Sequence, residues 1–390
     1  MKIGIISIYD FPKGMAATNR MAAYAQGLVE CGNDVTVLNL LPSVKIKDNN
    51  PDSGIYNGVK YYHLCGRLKS KYKIFRMIAH CSGYRFWNGV YQFHKHLKDN
   101  HYDIIIISND EPLFLYTYNR ICRSKEIKTV FIFDEYPTPI RHKLKKEIPT
   151  YKKWKYTKIL PNFDGYISIS NELKKYYNSF VEKPTLVVPL IVNTKRFQSI
   201  QVEKINKISY VGNMEITKDN IDNIIRAFAI ISEEYTNYSL HFYGNPTPKV
   251  KSMLSQLVES LNIKEHVFFD GSIQSDEVPK VIAESKVMVS SQPDTLRAKG
   301  GFPTKLGEYI VMGTPTLICD VGENRKYISD EDCFFAKPDD VNDYSKKLRL
   351  ILSDYQNALK VAEHGKQTIL CNYSQSKIGE MMSAFFKQLF

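Results

Sequence analysis

The strongest constraint in this chain is an alternation of short apolar runs with stretches of helical spacing, which stops near residue 190 and then starts again. Residues 2–8 form the first apolar run, and 18–31 place Met21, Tyr24, Ala25 and Leu28 on one helical face before Gly32-Asn33 ends it. Residues 34–39, 102–108, 128–133, 165–169 and 185–189 are further runs rich in Ile, Val and Phe. Runs apolar on both faces suit strands of a parallel sheet with helices packed on each side. The second series has strands at 207–211, 239–243, 267–269, 287–290 and 315–319. Its helices are at 220–234, 248–261, 276–284, 304–312 and 340–353. Two α/β domains joined near residues 190–200 are the simplest account, and 390 residues exceed what one core usually serves.

Ligands of open parallel sheets bind beyond the carboxyl ends of the strands, so the loops there carry the chemistry. The clearest is Lys299-Gly300-Gly301-Phe302-Pro303-Thr304-Lys305-Leu306-Gly307-Glu308. Two glycines free the backbone. The helix that follows offers unbonded amides near Thr304, Lys305 and Leu306, an arrangement that favours a phosphate. Glu308 falls one turn into that helix, within reach of ribose hydroxyls. A second loop, Gly212-Asn213-Met214-Glu215-Ile216-Thr217-Lys218, leaves the first strand of the second series. A third, residues 6–20, contains Gly14 and Met15 but is not the Gly-x-Gly-x-x-Gly of a dinucleotide fold. Arg20, Asn109, Asp134 and Glu135 follow strands of the first series and are candidates for holding a second substrate.

Charge separates the halves. The chain carries 53 Lys+Arg against 41 Asp+Glu, yet residues 1–190 hold 29 and 16 while residues 191–390 hold 24 and 25. The basic half is expected to meet an anionic partner. The basic segment from Arg141 to Lys158 has eight cations and one acid, Glu147, with Tyr151, Trp154 and Tyr156 among them. Lys69, Lys71, Lys73 and Arg76 extend the same patch. Cations beside aromatics suit an anionic bilayer, where each contributes about 1 kcal/mol. No nucleic-acid reading motif accompanies them.

The seven cysteines are scattered and form no Cys-x-x-Cys pair, which reads as reduced, mostly core thiols without zinc or disulfides. Asp330-Glu331-Asp332 reads as a solvated loop, not a metal site. No apolar run approaches the roughly 20 residues of a membrane span. The first run ends at Asp10, too early for a secretory leader. The expected location is the cytoplasm, with peripheral contact on the inner face of the membrane.

Taken together, the loops resemble the family 4 glycosyltransferases of GT-B fold over nearly the whole chain. The 6–20 loop resembles that family's proline-then-glycine loop. Pro189 to Phe197 resembles its interdomain passage, with Leu190 and Ile191 departing from Asn-Gly. Gly212 to Lys218 resembles its Gly-Arg-x-x-x-x-Lys phosphate clamp, with Asn213 in place of arginine. The turn at Gly244 and the segment through Ser272 and Ile273 match its base-binding strands. Gly300 to Glu308 matches its Glu, seven residues, Glu motif, with Gly300 in place of the first glutamate.

The resemblance implies two Rossmann-like parallel-sheet domains facing an interdomain cleft. Residues 1–192 would form the acceptor side, completed by a C-terminal helix at 372–390, and 193–371 the donor-binding domain. It implies a retaining hexosyl transferase using a UDP- or GDP-sugar, with no cofactor and no metal. The acceptor would be a glycan or polyprenyl-diphosphate-linked sugar of a surface polysaccharide or glycolipid. Lys218 and Lys305 would act in catalysis by stabilising the leaving phosphate, with Glu308 on the ribose, while Gly14, Met15, Gly212, Asn213, Gly244, Ser272 and Ile273 would bind the donor. Gly301, Phe302, Pro303, Thr304 and Leu306 would line the phosphates. Asp134 or Glu135 would meet an acceptor hydroxyl. The same architecture also serves nucleotide-sugar epimerases, and the losses at Gly300 and Asn213 admit an inactive binding subunit.

Overall fold

The computed structural model describes residues 1–12, 14, 16–43, 51–109, 111–137, 140, 150–198, 200 and 202–390. They divide into two compact units, Met1–Ile191 with Gln375–Phe390, and Val192–Ser374.

The first unit is built on an eight-stranded sheet of order β3-β4-β2-β1-β5-β6-β7-β8. Its strands are β1 (Lys2–Ser7), β2 (Asp34–Asn39), β3 (Ser53–Tyr56), β4 (Val59–His63), β5 (Ile104–Ile107), β6 (Lys128–Phe133), β7 (Gly165–Ser168) and β8 (Thr185–Val187). Every pair is parallel except β3 with β4. The four isoleucines of β5 are all buried, because helices cover both faces of the sheet there. The β3–β4 hairpin is absent from the sequence reading. Its signal was present as Asn57-Gly58: both residues have positive φ, 49° and 80°, the turn geometry that joins adjacent antiparallel strands.

The helix Ala16–Glu30 packs its Met21, Tyr24, Ala25 and Leu28 face into the core of this sheet. The helix Gln375–Lys387 lies against it at close range. A Cβ on Gly27 would strike the Gln375 carbonyl and lie 3.3 Å from Gly379 Cα. A Cβ on Gly379 would strike the Gly27 carbonyl in return. Ile378, Met382, Phe385 and Phe386 then complete the apolar cluster.

The second unit has a six-stranded parallel sheet of order β11-β10-β9-β12-β13-β14. Its strands are β9 (Ile205–Val211), β10 (Ser239–Tyr243), β11 (Val267–Gly271), β12 (Ser285–Val289), β13 (Thr316–Cys319) and β14 (Phe334–Ala336). Helices Ile221–Ile231 and Val341–Ser353 bury Ile224, Ile225, Phe228, Tyr344 and Leu348 against it.

Three expectations change. Asp332 is not solvated. It is buried, and it accepts from Ser329 N at 2.7 Å, Thr368 Oγ1 at 2.6 Å and His364 Nδ1 at 2.9 Å. Burial alone would raise its pKa, but these bonds outweigh it and hold the carboxyl below its ordinary range. Lys155 is not part of a solvated basic face. It is buried, with its ammonium 5.0 Å from the Tyr156 ring centre and 5.8 Å from that of Phe131. Residues 141–149 of that segment lie outside the described residues. Of the thiols, Cys122, Cys319 and Cys333 are buried, while Cys81 and Cys371 are exposed. Among the described residues no helix is long and apolar enough to cross a membrane.

The Gly27–Gly379 contact has no room for a methyl group. Gly27→Ala should destabilise the first unit by about 1–3 kcal/mol. A shift in its urea midpoint, with the second unit's transition unmoved, is the measurement. An unchanged midpoint would show that the helices separate without penalty.

Candidate active site

In the second unit β9 and β12 are neighbours, but the chain leaves β9 for β10 on one side and β12 for β13 on the other. That reversal opens a crevice at the carboxyl edge of the sheet. The loop after β9 runs through Gly212 to Lys218, and the segment after β12 runs through Arg297 to Lys305.

Backbone bonds tie the strand exits together. Gly212 N donates to Tyr243 O at 2.9 Å, and Gly244 N donates to Gly271 O at 2.8 Å. A Cβ on Gly212 would lie 2.5 Å from Lys305 Nζ and collide with the Tyr210 hydroxyl. Glycine is therefore what gives Lys305 its place. The Lys305 ammonium donates to Tyr210 OH at 2.7 Å and to Asp219 Oδ1 at 3.2 Å, and sits 4.1 Å from the Tyr210 ring centre. Asp219 Oδ2 accepts the amide of Glu215 at 3.0 Å, closing the short helix Ile216–Asp219 onto the same point.

The charges follow from this packing. Burial pulls the Lys305 pKa below its ordinary value, partly opposed by Asp219 and assisted by the neighbouring charge of Lys218. Burial would raise Asp219, but Lys305, the Tyr210 hydroxyl and the Glu215 amide together outweigh it and the carboxyl stays low. The Tyr210 phenol is driven well up by burial and then by Asp219. Lys218 has no hydrogen-bond or ion-pair partner for its ammonium among the described residues. Asn213 is exposed at the crest of the loop.

Two arginines that the sequence reading did not assign belong to this region. Arg297 Nη1 lies 2.9 Å from Glu215 Oε1, bracing the Lys218 loop from the helix Leu296–Gly300. Arg196 Nη1 lies 2.8 Å from Glu308 Oε1, and its Nη2 donates to Ser275 O at 2.8 Å and Ser275 Oγ at 3.0 Å. Glu308, expected to face a ribose, thus has one oxygen already held. The partners stand 112 residues apart, and no local pattern links them.

The loop around Gly300 is tighter than expected. Residues 296–300 are helical, and the Gly301 amide bonds to Arg297 O at 3.1 Å. Leu306 is corrected outright. Its side chain is in the core and its amide bonds to Pro303 O at 3.0 Å, so it offers a ligand neither group. Phe302 is also buried, edge-on to Tyr327 at 5.9 Å. Pro303 caps the helix Thr304–Val311, and Thr304 and Lys305 form its first turn. Ser272 is exposed and Ile273 half-buried, just past β11.

The first unit has its own reversal between β1 and β5. Gly14 follows β1, where a Cβ would press on the Thr18 side chain; Met15 lies outside the described residues. Arg20 is buried. It donates to Tyr24 OH at 2.8 Å and Val188 O at 2.7 Å, with Asp134 Oδ1 at 4.0 Å. It is a fixed strut under the exposed Asp134 carboxylate, and burial pushes Tyr24 up to about 12. Glu135 accepts from Tyr177 OH through its carbonyl at 3.2 Å. Asn109 caps the next turn, its Oδ1 accepting from Glu111 N at 2.9 Å.

A buried polar cluster holds the β1 loop, again without a local sequence signal. Asp10 takes Arg67 Nη2 at 2.7 Å and Nε at 3.2 Å, and Ser43 Oγ at 2.9 Å. His63 Nε2 donates to Phe11 O at 2.8 Å, which makes Nδ1 the acceptor for Asn39 Nδ2 at 3.1 Å. Burial holds that imidazole below its ordinary pKa.

Two Rossmann-like units, each with glycine-bearing loops at its sheet reversal, define a protein of the GT-B class. Residues 17–196 match the model "Glycosyltransferase Family 4" and residues 192–368 match "Glycosyl transferases group 1". Between them the two models take in most of the sequence, and the chain belongs to the family 4-like GT-B glycosyltransferases. No curated protein matches the sequence. Among solved structures it is similar to sucrose-phosphate synthase of Thermosynechococcus elongatus, at 18% identity and TM-score 0.73 over 100% of this chain and 99% of that one. It is similar to the Anabaena protein HepE in complex with UDP and glucose, at 11% identity and TM-score 0.71 over 100% of both chains. It also resembles WaaG, a glycosyltransferase involved in lipopolysaccharide biosynthesis, at 15% identity and TM-score 0.65 over 98% of this chain and 99% of that one.

Asp219→Asn tests the pin. Breaking a buried ion pair on one side costs roughly 3 kcal/mol. Because the native carboxyl lies low, its contribution is full above the unfolded value of about 3.9 and is lost as pH falls through the native value. The stability gap between wild type and variant should be wide at pH 7 and narrow towards pH 3. A gap independent of pH would refute the ion-pair account.

Proposed function

We propose that the chain is a retaining hexosyl transferase that takes its sugar from a UDP- or GDP-linked donor. The observation that carries the reading is the Lys218 ammonium, without a partner among the described residues and held by a glycine-bearing loop beside the Thr304–Val311 helix start. A diphosphate is the ligand such a site suits. Its charge would meet one open cation, a helix N-terminus and the nearby Lys305. HepE's complex with UDP and glucose supports a uridine donor.

In this reading the bond between the anomeric carbon and the β-phosphate oxygen breaks, and its electron pair stays on the phosphate. Lys218 stabilises that charge, and Lys305 contributes at longer range because Asp219 already occupies it. No step is routed through a metal ion or cofactor. The acceptor hydroxyl bonds to the same face of the anomeric carbon and gives its proton to the leaving phosphate, so configuration is retained. Glu308, held by Arg196, presents its other oxygen to the ribose. Asn213 lines the diphosphate by its side-chain amide beside Gly212, with Gly244, Ser272 and Ile273 about the base. Gly301, Pro303 and Thr304 shape the helix entry.

The acceptor belongs to the basic first unit, where Asp134 stands exposed above Arg20, with Glu135 and Asn109 on the same sheet edge. A glycan or polyprenyl-diphosphate-linked sugar of a surface polysaccharide or glycolipid fits the charge. WaaG's role in lipopolysaccharide biosynthesis supports that class. The protein then works in the cytoplasm at an anionic membrane surface, with the segment from Arg141 to Lys158 contributing charge.

Lys218→Ala should lower kcat/KM for the nucleotide sugar at least about tenfold, and weaken stabilisation by the free nucleoside diphosphate. Unchanged kinetics would remove Lys218 from the donor site. Transfer by neither protein with any UDP- or GDP-sugar, though the diphosphate still binds, would favour a non-catalytic subunit. That outcome is the one the substitutions at Gly300 and Asn213 allow.

A further inference from the structure

We propose that the face of the first unit formed by helices Lys73–Cys81 and Tyr84–Asp99 docks on an anionic lipid bilayer. The proposal rests on the reading that this unit works at such a membrane. It moves the contact itself from a run of charge to an apolar face that the sequence reading did not single out.

The observation is a set of large apolar side chains held away from the core. Ile74, Phe75, Met77 and Ile78 are 66%, 60%, 58% and 53% exposed. Ile74, Met77 and Ile78 recur at helical spacing, so they form one stripe. In the next helix Gly89, Phe93 and Leu97 mark the buried side, and Tyr84, Trp87 and Tyr91 repeat on the outward side, each more exposed than buried. The two helices are consecutive in the chain and pack on one another. Soluble surfaces carry such residues singly; a cluster marks an interaction face.

Charge chooses the occupant. Residues 69–98 contain seven Lys+Arg and no Asp or Glu. Lys69, Lys71, Lys73 and Arg85 stand beside these residues in the sequence. The Arg76 guanidinium turns back to Ser70 O at 2.9 Å and Lys71 O at 3.2 Å, curling the chain that leads into the first helix. A second copy on this face would oppose cation to cation, which association avoids. A nucleic acid would gain nothing from Ile74, Met77 and Ile78. An anionic bilayer accepts every part. Aliphatic side chains enter the acyl boundary, tyrosine and tryptophan sit at headgroup depth, and lysines meet the phosphates. The helices are short and would lie in the plane of the interface.

The full-length protein is mixed with vesicles of phosphatidylglycerol and phosphatidylcholine, or of phosphatidylcholine alone, and sedimented. Wild type should bind the anionic vesicles at least about tenfold more tightly. Ile74→Ser with Ile78→Ser should reduce that binding about tenfold while leaving the unfolding temperature and transfer to a soluble acceptor unchanged. In a Trp154→Phe background Trp87 is the sole tryptophan, and its emission should shift to the blue on anionic vesicles. Undiminished binding in the serine variant, with loss in Lys152→Ala/Lys153→Ala, would overturn this surface but keep the membrane reading. Binding of wild type to neither vesicle would overturn both. A lipid-free dimer dissolved by the serine substitutions would assign the face to a second copy and sink the proposal.

Discussion

The crevice of the second unit depends on one missing side chain. Lys305 reaches Tyr210 and Asp219 because position 212 has no Cβ to occupy the space its ammonium fills. Through Asp219 that ammonium fastens the loop after β9 to the helix after β12, across the reversal of the sheet. The bond is internal, so it consumes one cation and frees another. Lys305 is spent on architecture, whereas the Lys218 ammonium has no partner among the described residues. Under the proposed donor reading, rigidity and an open charge are needed together, and two lysines would divide those tasks.

The first unit uses the same economy with opposite polarity. Arg20 is engaged with Tyr24 and Val188, and its charge steadies an exposed carboxylate at Asp134. Asp10 and Arg67 are both consumed in anchoring the β1 loop. Arg67 and Asp10 in the first unit and Lys305 and Asp219 in the second thus each find an opposite charge within their own unit. That follows from the cost of burying an unpaired charge.

The sheets were readable because parallel strands buried on both faces are written as continuous apolar runs, as in residues 104–107 and 128–133. The loops were readable where glycine, lysine and a helix start lie within a few residues, as from Gly212 to Lys218. What escaped was whatever depends on distance along the chain. Arg196 with Glu308 and Asp10 with Arg67 are made by the fold, and neither residue carries a local mark of its partner. Charge runs misled for a related reason. Lys155 lies among cations in the sequence, yet a lysine stem can thread between Phe131 and Tyr156. Leu306 stands at a helix start that suits a phosphate, but the Pro303 carbonyl takes its amide first.

The glycine contact between Ala16–Glu30 and Gln375–Lys387 also has a consequence in time. The first unit is completed by residues that follow the whole of the second in the chain. During synthesis at about 5–20 residues per second, the interval between residue 191 and residue 375 is roughly ten to forty seconds. Throughout it the helix face around Gly27 has no partner, while residues 192–374 can finish folding as they emerge. The unit that is made first is thus the one that closes last, and its apolar flank is the part of the nascent chain that a chaperone would have to cover.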